Sequence, residues 1–276
     1  MISAHAYFNR PAHAISDSEE ADFFAGIRLS NKTYKKTATG RLRDLDAIVI
    51  RLARGKGWHN PAVLDVGVSS GVTTLELQEA MVADGFEPKF IGTDIAINAW
   101  IVRIAPGIRV LVDSRDRPLQ YELFGIGLRA WNRRLDYVTG YRLLTRLARH
   151  FVHTGSNLNR QAVKLISRRT NAARAVLEIV EGDLSVPNQS FKKRFDIIRA
   201  ANILNRGYFD PEKLLGMIGN LKDYARGPGS LIVVNRTHDD GINHGTVFET
   251  TPDGGLRAVE RIGSGSEIEG LMLGDD

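Results

Sequence analysis

The run Ala62-Val63-Leu64-Asp65-Val66-Gly67-Val68-Ser69-Ser70-Gly71 constrains the fold more than any other part of the chain. Residues 62–66 are apolar apart from Asp65 and break directly into a Gly/Ser turn, after which residues 73–83 carry Leu75, Leu77 and Met81. A short apolar run without alternation belongs to a strand buried on both faces, and strand, tight turn and helix in that order make one βα unit of a largely parallel sheet. Glycine just after a strand lets the backbone turn sharply and approach a ligand that a Cβ would obstruct. A tight βα turn that holds no ligand is the alternative.

Further units follow. Residues 89–93 read as a strand and 97–104 as a helix stopped by Pro106 and Gly107. Residues 175–180, 195–201 and 229–235 read as strands, and 211–224 as a helix opening on Pro211 with Leu214, Leu215, Ile218 and Leu221 on one face. Residues 246–250 and 256–262 flank Pro252-Asp253-Gly254-Gly255, turn chemistry suited to positive φ and hence to an antiparallel hairpin. Upstream, Leu42, Leu45, Ile48, Val49 and Leu52 recur at helical spacing and close at Gly55 and Gly57, while residues 16–36 read as a loosely helical extension. The expected fold class is α/β: a seven-stranded, doubly wound, Rossmann-like sheet with a C-terminal antiparallel hairpin and a helical insertion. The expected division is an N-terminal helical extension at 1–58, a core at 59–112 and 175–276, and an insertion at 113–174.

Composition narrows the function classes. With 276 residues and 43% apolar content the chain can fill a sizeable core. It has no cysteine, which excludes disulfides and thiolate metal sites and is compatible with a reducing compartment. The first thirty residues mix His5, Asn9, Arg10, Asp17, Glu19 and Glu20 with small residues and hold no uninterrupted apolar run, so the expected location is cytoplasmic. The net charge of +5 is concentrated: residues 113–174 hold thirteen Lys/Arg against four acids. Such asymmetry suits an anionic substrate, a nucleic acid or an acidic membrane surface, or else a helix with a solvated Arg face.

Four segments in order carry a resemblance. Val63-Leu64-Asp65-Val66-Gly67-Val68-Ser69-Ser70-Gly71 resembles the first motif of the class I S-adenosylmethionine-dependent methyltransferases, an apolar strand ending in acid-x-Gly-x-Gly-x-Gly, with Ser69 at the middle glycine. Phe90-Ile91-Gly92-Thr93-Asp94 ends its strand on an acid, twenty-three residues after Gly71, where a carboxylate suits acceptance from two ribose hydroxyls. Glu181-Gly182-Asp183-Leu184 resembles the motif whose Asp accepts from the adenine amino group while the next residue covers the ring. Residues 195–209 are similar to the strand-four motif of the chemotaxis-receptor glutamate methyltransferases. Here two residues separate Arg199 from Asn202, and Arg206-Gly207 precedes Tyr208-Phe209, departures that confine the kinship to fold and cofactor. The resemblance covers roughly residues 60–105 and 175–262 and implies S-adenosyl-L-methionine as cofactor. The residues it places around that cofactor are Asp65, Gly67, Ser69, Gly71, Asp94, Ile95, Asp183, Leu184, Asn202 and Ile203. Asp65 is expected to accept from the loop amides or, through water, to serve the ammonium group of the ligand.

Methyl transfer from a sulfonium is an in-line displacement, and a general base is needed when the acceptor is a neutral hydroxyl or amine. His238, Asp239 and His244, after the fifth strand, are the candidates, though each His suits a surface loop better than a catalytic role; no metal site is expected. The implied activity is O- or N-methylation of a small or anionic acceptor. Two other classes remain open: an NAD-dependent Rossmann oxidoreductase, and a non-catalytic protein that binds S-adenosylmethionine. Residues 113–174 are expected to form an amphipathic helix pair, with Phe124, Leu128, Trp131, Leu135 and Val138, then Tyr137, Tyr141, Leu144, Leu147 and Phe151 as apolar stripes. Arg129, Arg133, Arg134, Arg142, Arg146 and Arg149 lie on its other faces, and Gly125, Gly127 and Gly140 act as bends. That face would serve as a lid or substrate platform, with an acidic membrane surface as a further contact; its apolar stripe would pack on the sheet or on a second copy in a homodimer. Nucleic acid is disfavoured because no binding motif accompanies the charge.

Overall fold

The computed structural model describes residues 1–29, 35, 38–131, 145, 146, 148, 150, 152, 158–238 and 240–275. The chain divides into two compact units, Met1–Ala38 with Ala96–Arg168, and Thr39–Ile95 with Arg169–Asp276.

The second unit holds a seven-stranded sheet. Its strands are β1 (Ala62–Val66), β2 (Lys89–Asp94), β8 (Leu177–Glu181), β9 (Ile197–Ala201), β10 (Leu231–Thr237), β11 (Asn243–Thr250) and β12 (Leu256–Ile262), in the spatial order β12-β11-β10-β9-β1-β2-β8. The five strands from β8 to β10 run parallel, and β11 and β12 return antiparallel, with a bulge between Val247 and Phe248. Because the central strands are buried on both faces, alternate residues enter opposite cores. Val63, Ile197, Leu231 and Val233 pack with α3 (Arg43–Gly55) and α4 (Val72–Ala83). Leu64, Val66, Ile198 and Ile232 pack with α6 (Pro211–Tyr224) and α7 (Glu269–Leu273). α6 starts where the sequence puts it: Asp210 accepts from the Lys213 N–H at 2.8 Å and Pro211 occupies the first turn, where its missing N–H costs nothing. The unit also contains the short α5 (Arg168–Ala172), which begins at its boundary.

The first unit departs from the sequence reading. Residues expected to be helical at 97–104 form β3 (Asn98–Ala105), and the basic segment contributes strands at 118–123, 126–129 and 159–164 within the expected helical insertion, while its residues 145, 146, 148, 150 and 152 are helical. With β4 (Ile108–Asp113), β5 (Pro118–Leu123), β6 (Ile126–Arg129) and β7 (Asn159–Lys164) it makes an antiparallel sheet in the order β6-β5-β4-β3-β7. Pro106-Gly107 joins β3 to β4, with φ +76° at Gly107, so the pair that reads as a helix stop is the turn of a hairpin. Phe124 and Gly125, with φ +48° and +85°, form the two-residue turn between β5 and β6, the doubly left-handed geometry that hairpins favour. Gly127 lies within β6 rather than at a helix bend. Val102, Val110, Val112 and Tyr121 build a core with Ala148 and Val152. α1 (Ala4–Asn9) and α2 (Asp17–Ala25) belong to this unit: Tyr7 stacks on Phe23 at 4.3 Å, the Ala4 N–H donates to Gln120 at 2.6 Å, and Ser16 with Glu19 forms a capping box. The expected extension at 1–58 is therefore split, residues 1–38 going with the antiparallel sheet and α3 with the parallel one. Leu135, Tyr137, Val138, Tyr141, Leu144, Leu147 and Phe151, and Arg133, Arg134, Gly140, Arg142 and Arg149, lie outside the described residues. Among the described residues no helix is long and apolar enough to cross a membrane.

Candidate functional site

In the parallel sheet β1 and β9 are neighbours, yet the chain proceeds from β1 to β2 on one side and from β9 to β10 on the other. Loops leaving those two strands part in opposite directions at the C-terminal edge, which is where open α/β sheets bind ligands. The topology brings four of the expected segments to that edge: 67–71 after β1, Asp94 and Ile95 at the end of β2, 182–184 after β8, and Asn202 and Ile203 after β9.

Gly67, Ser69 and Gly71 all adopt left-handed backbone, with φ of +76°, +56° and +82°. Ser69 therefore holds a conformation natural to glycine, at a backbone cost of about 1–2 kcal/mol for a residue with a Cβ. The N–H groups of Gly67 and Val68 donate to the Thr93 carbonyl at 2.7 and 3.1 Å, and that of Ser69 to the Asp94 carboxylate at 2.8 Å. The loop is thus folded back onto the end of β2, with the buried Asp94 as its anchor. A Cβ on Gly67 would overlap the Ile203 side chain, so Ile203 lies directly over the loop. Helix α4 begins at Gly71 with no side-chain cap, leaving its first amides without that partner.

Asp65 departs from its expected role. It shares the face of Val63, toward α3 and α4, so its carboxylate is turned away from the loop amides. Thr74 Oγ1 donates to it at 2.6 Å, Arg199 Nε at 3.1 Å and Arg199 Nη2 at 2.6 Å. Arg199 is fully buried and also donates to Asp46 at 2.5 Å and to the Thr73 carbonyl at 2.9 Å. Burial alone would loosen the proton of Arg199, but Asp65 and Asp46 outweigh it and raise its pKa. Burial pushes Asp46 up to about 6, with Arg199 opposing the shift.

At the other end of the edge, Asp183 accepts from the Ser185 N–H at 2.9 Å and its hydroxyl at 2.7 Å, and the buried Leu184 packs into the α6 core. A cavity of about 240 Å³ is lined by Val66, Thr93, Gly182, Asp183, Leu184 and Phe191 among others. Thr93 Oγ1 is buried there with no hydrogen-bond partner among the described residues, and a Cβ on Gly182 would sit 2.6 Å from it. A buried hydroxyl left unpaired beside a glycine cradle fits a ligand that brings its own polar edge. Asn202, at φ +62°, accepts from the Thr237 N–H at 2.7 Å and donates its own N–H to the Asn235 carbonyl at 2.8 Å, bracketing β9 to β10.

Of the candidate bases, Asp239 lies outside the described residues. His238 is exposed and its ring meets that of His244 edge-on, centroids 4.6 Å apart. His244 Nδ1 accepts from the Ser264 backbone N–H at 2.9 Å, which places the proton of the neutral ring on Nε2. Both histidines flank the β10–β11 turn, on the same edge as Asn202 and Thr237. Thr93 and Arg41 have no local sequence signature, being a threonine inside a strand and an arginine before a helix, and only burial without a hydrogen-bond partner among the described residues marks their Oγ1 and Nε.

No family model matches the chain, and no curated protein matches it. Similar solved structures include the CurJ carbon methyltransferase, at 13% identity and a TM-score of 0.33, covering 65% of this chain and 30% of that one. The N-methyltransferase NodS from Bradyrhizobium japonicum, in complex with S-adenosyl-L-homocysteine, has 13% identity and a TM-score of 0.35, covering 73% and 65%. A protein from Rhodobacter sphaeroides described as a Zn-dependent alcohol dehydrogenase has 10% identity and a TM-score of 0.34, covering 73% and 48%. This chain thus spans less than a third of the CurJ protein. All three TM-scores lie below 0.5 and all three identities below 25%.

Proposed function

We propose that the parallel-sheet unit binds S-adenosyl-L-methionine at the C-terminal edge and that the protein is a methyltransferase. One observation carries this reading: the acid ending β2, Asp94, is hydrogen-bonded to the left-handed glycine loop after β1, beside the point where strand order reverses. Asp94 would hold the ribose, Ile95 and Ile203 would pack against the ligand, and Asp183 with Thr93 would face the adenine edge. Asp65 has a supporting part, fixing β1, β9 and α3 through Arg199. The bound sulfonium supplies an activated methyl group, so the protein's task is alignment of a nucleophile.

His238 is the better candidate for a base, because the Nδ1 of His244 is already an acceptor. The thirteen Lys/Arg within 113–174 support an anionic acceptor, although Arg117 and Arg160 pair with Asp113 and Asp116 at 2.8 and 2.7 Å. The experiment is methyl transfer from isotopically labelled donor into a cell extract, with Asp94→Ala as control. Label in an extract component that disappears with the variant supports the enzyme. Bound cofactor with no transfer to any component would instead leave a binding protein.

A further inference from the structure

Resting on that reading, we infer that Arg41 is the residue that holds the carboxylate of the donor's amino-acid portion. Arg41 sits in the turn before α3, and its backbone is fixed from two sides. Its carbonyl accepts from Asn243 Nδ2 at 2.8 Å, and the neighbouring Gly40 N–H donates to both carboxylate oxygens of Glu76 at 2.8 and 3.0 Å. Asn243 begins β11 and its Oδ1 accepts from Thr237 Oγ1 at 2.7 Å, whose own N–H is held by Asn202. A chain of hydrogen bonds therefore ties Arg41 to the loop after β9, on the edge that carries the glycine loop.

Among the described residues the Arg41 guanidinium makes no ion pair, although Asp65 and Glu76 lie near enough to act on its charge. Its Nε is buried and has no hydrogen-bond partner among the described residues. Nearby carboxylates are committed: Asp65 to Arg199 and Thr74, Glu76 to Gly40. Burial, and then repulsion by Arg199, lowers the Arg41 pKa, while Asp65 and Glu76 oppose the shift. A half-buried cation with an unsatisfied donor, beside a second buried arginine, is relieved by an anion from outside, and a planar carboxylate matches the guanidinium fork. Because the bonds that fix this turn are made by backbone atoms of Gly40 and Arg41, a side-chain substitution at Arg41 leaves them in place.

The test is calorimetry on the full chain with S-adenosylhomocysteine and with 5′-methylthioadenosine, which keeps the adenosine and lacks the amino-acid portion. Arg41→Ala is expected to weaken S-adenosylhomocysteine at least tenfold and to leave 5′-methylthioadenosine within twofold, with Arg41→Lys between. Equal affinity of wild type and Arg41→Ala for S-adenosylhomocysteine overturns the inference and leaves the cofactor reading standing. Equal loss for both ligands in folded Arg41→Ala and Arg41→Lys also overturns it, since the effect then is general to the site. A wild type that binds neither ligand removes the cofactor reading and the inference with it.

Discussion

Arg199 Nη2 lies 2.6 Å from Asp65 Oδ2, joining β9 to β1 by a buried ion pair at the centre of the parallel sheet. Removing one partner leaves the other charged and buried. Arg199→Met is expected to destabilise the protein by about 3–5 kcal/mol, the range for a broken buried pair. Urea unfolding of variant and wild type checks it, and a loss below about 1 kcal/mol would show the pair to be dispensable.

Asp46, the second acid on Arg199, gives the pair a pH signature. Its folded-state pKa of about 6 lies above the ordinary 3.8, so across that window the folded protein binds more protons than the unfolded chain. The contribution favours folding below about pH 4 and is lost as pH rises through about 6. Between pH 4 and 7 the stability of wild type relative to Asp46→Asn is expected to fall by about 2–3 kcal/mol, at 1.36 kcal/mol per pKa unit. Denaturant unfolding at both pH values measures it; a difference that stays flat, or rises, contradicts a raised Asp46.

Much of the parallel sheet was legible because its signals are local. The strand–turn–helix at 62–83, Pro211 at the start of α6 and the Gly-rich turn before β12 are each specified within a dozen residues. β3 is not legible locally because Ile97, Ile101 and Ile104 recur at a helical period, and only pairing with β4 and β7 makes the segment a strand. The Arg199 contacts could not be read at all, since Asp65 and Asp46 lie 134 and 153 residues away. At the site, the order of motifs suffices to place the four segments at one sheet edge, but not to give the face on which Asp65 lies.

Gly67 and Ile203 should couple. A Cβ on Gly67 would overlap Ile203, and φ of +76° strains any L side chain. Gly67→Ala is expected to cost about 1–2 kcal/mol of stability from backbone strain, with the clash added. In the double variant with Ile203→Ala the clash term should vanish, giving a coupling of at least about 0.5 kcal/mol in a double-mutant cycle. Strict additivity would mean that Ile203 does not lie over the loop.

Asp94→Ala removes both the proposed ribose acceptor and the anchor of the Ser69 amide. Affinity for S-adenosylhomocysteine is expected to fall by more than about 1.5 kcal/mol, the lower range for a charge-assisted hydrogen bond. Calorimetry on the folded variant checks it, and unchanged affinity would place the ribose elsewhere.

On the reading proposed above, the edge formed by β1, β2, β8 and β9 takes S-adenosylmethionine rather than a nicotinamide dinucleotide. Titration of the full chain with S-adenosylhomocysteine and, separately, with NADH tests it most directly. Saturable one-to-one binding of S-adenosylhomocysteine with no heat from NADH is the expected result; saturable binding of NADH with none of S-adenosylhomocysteine would contradict it.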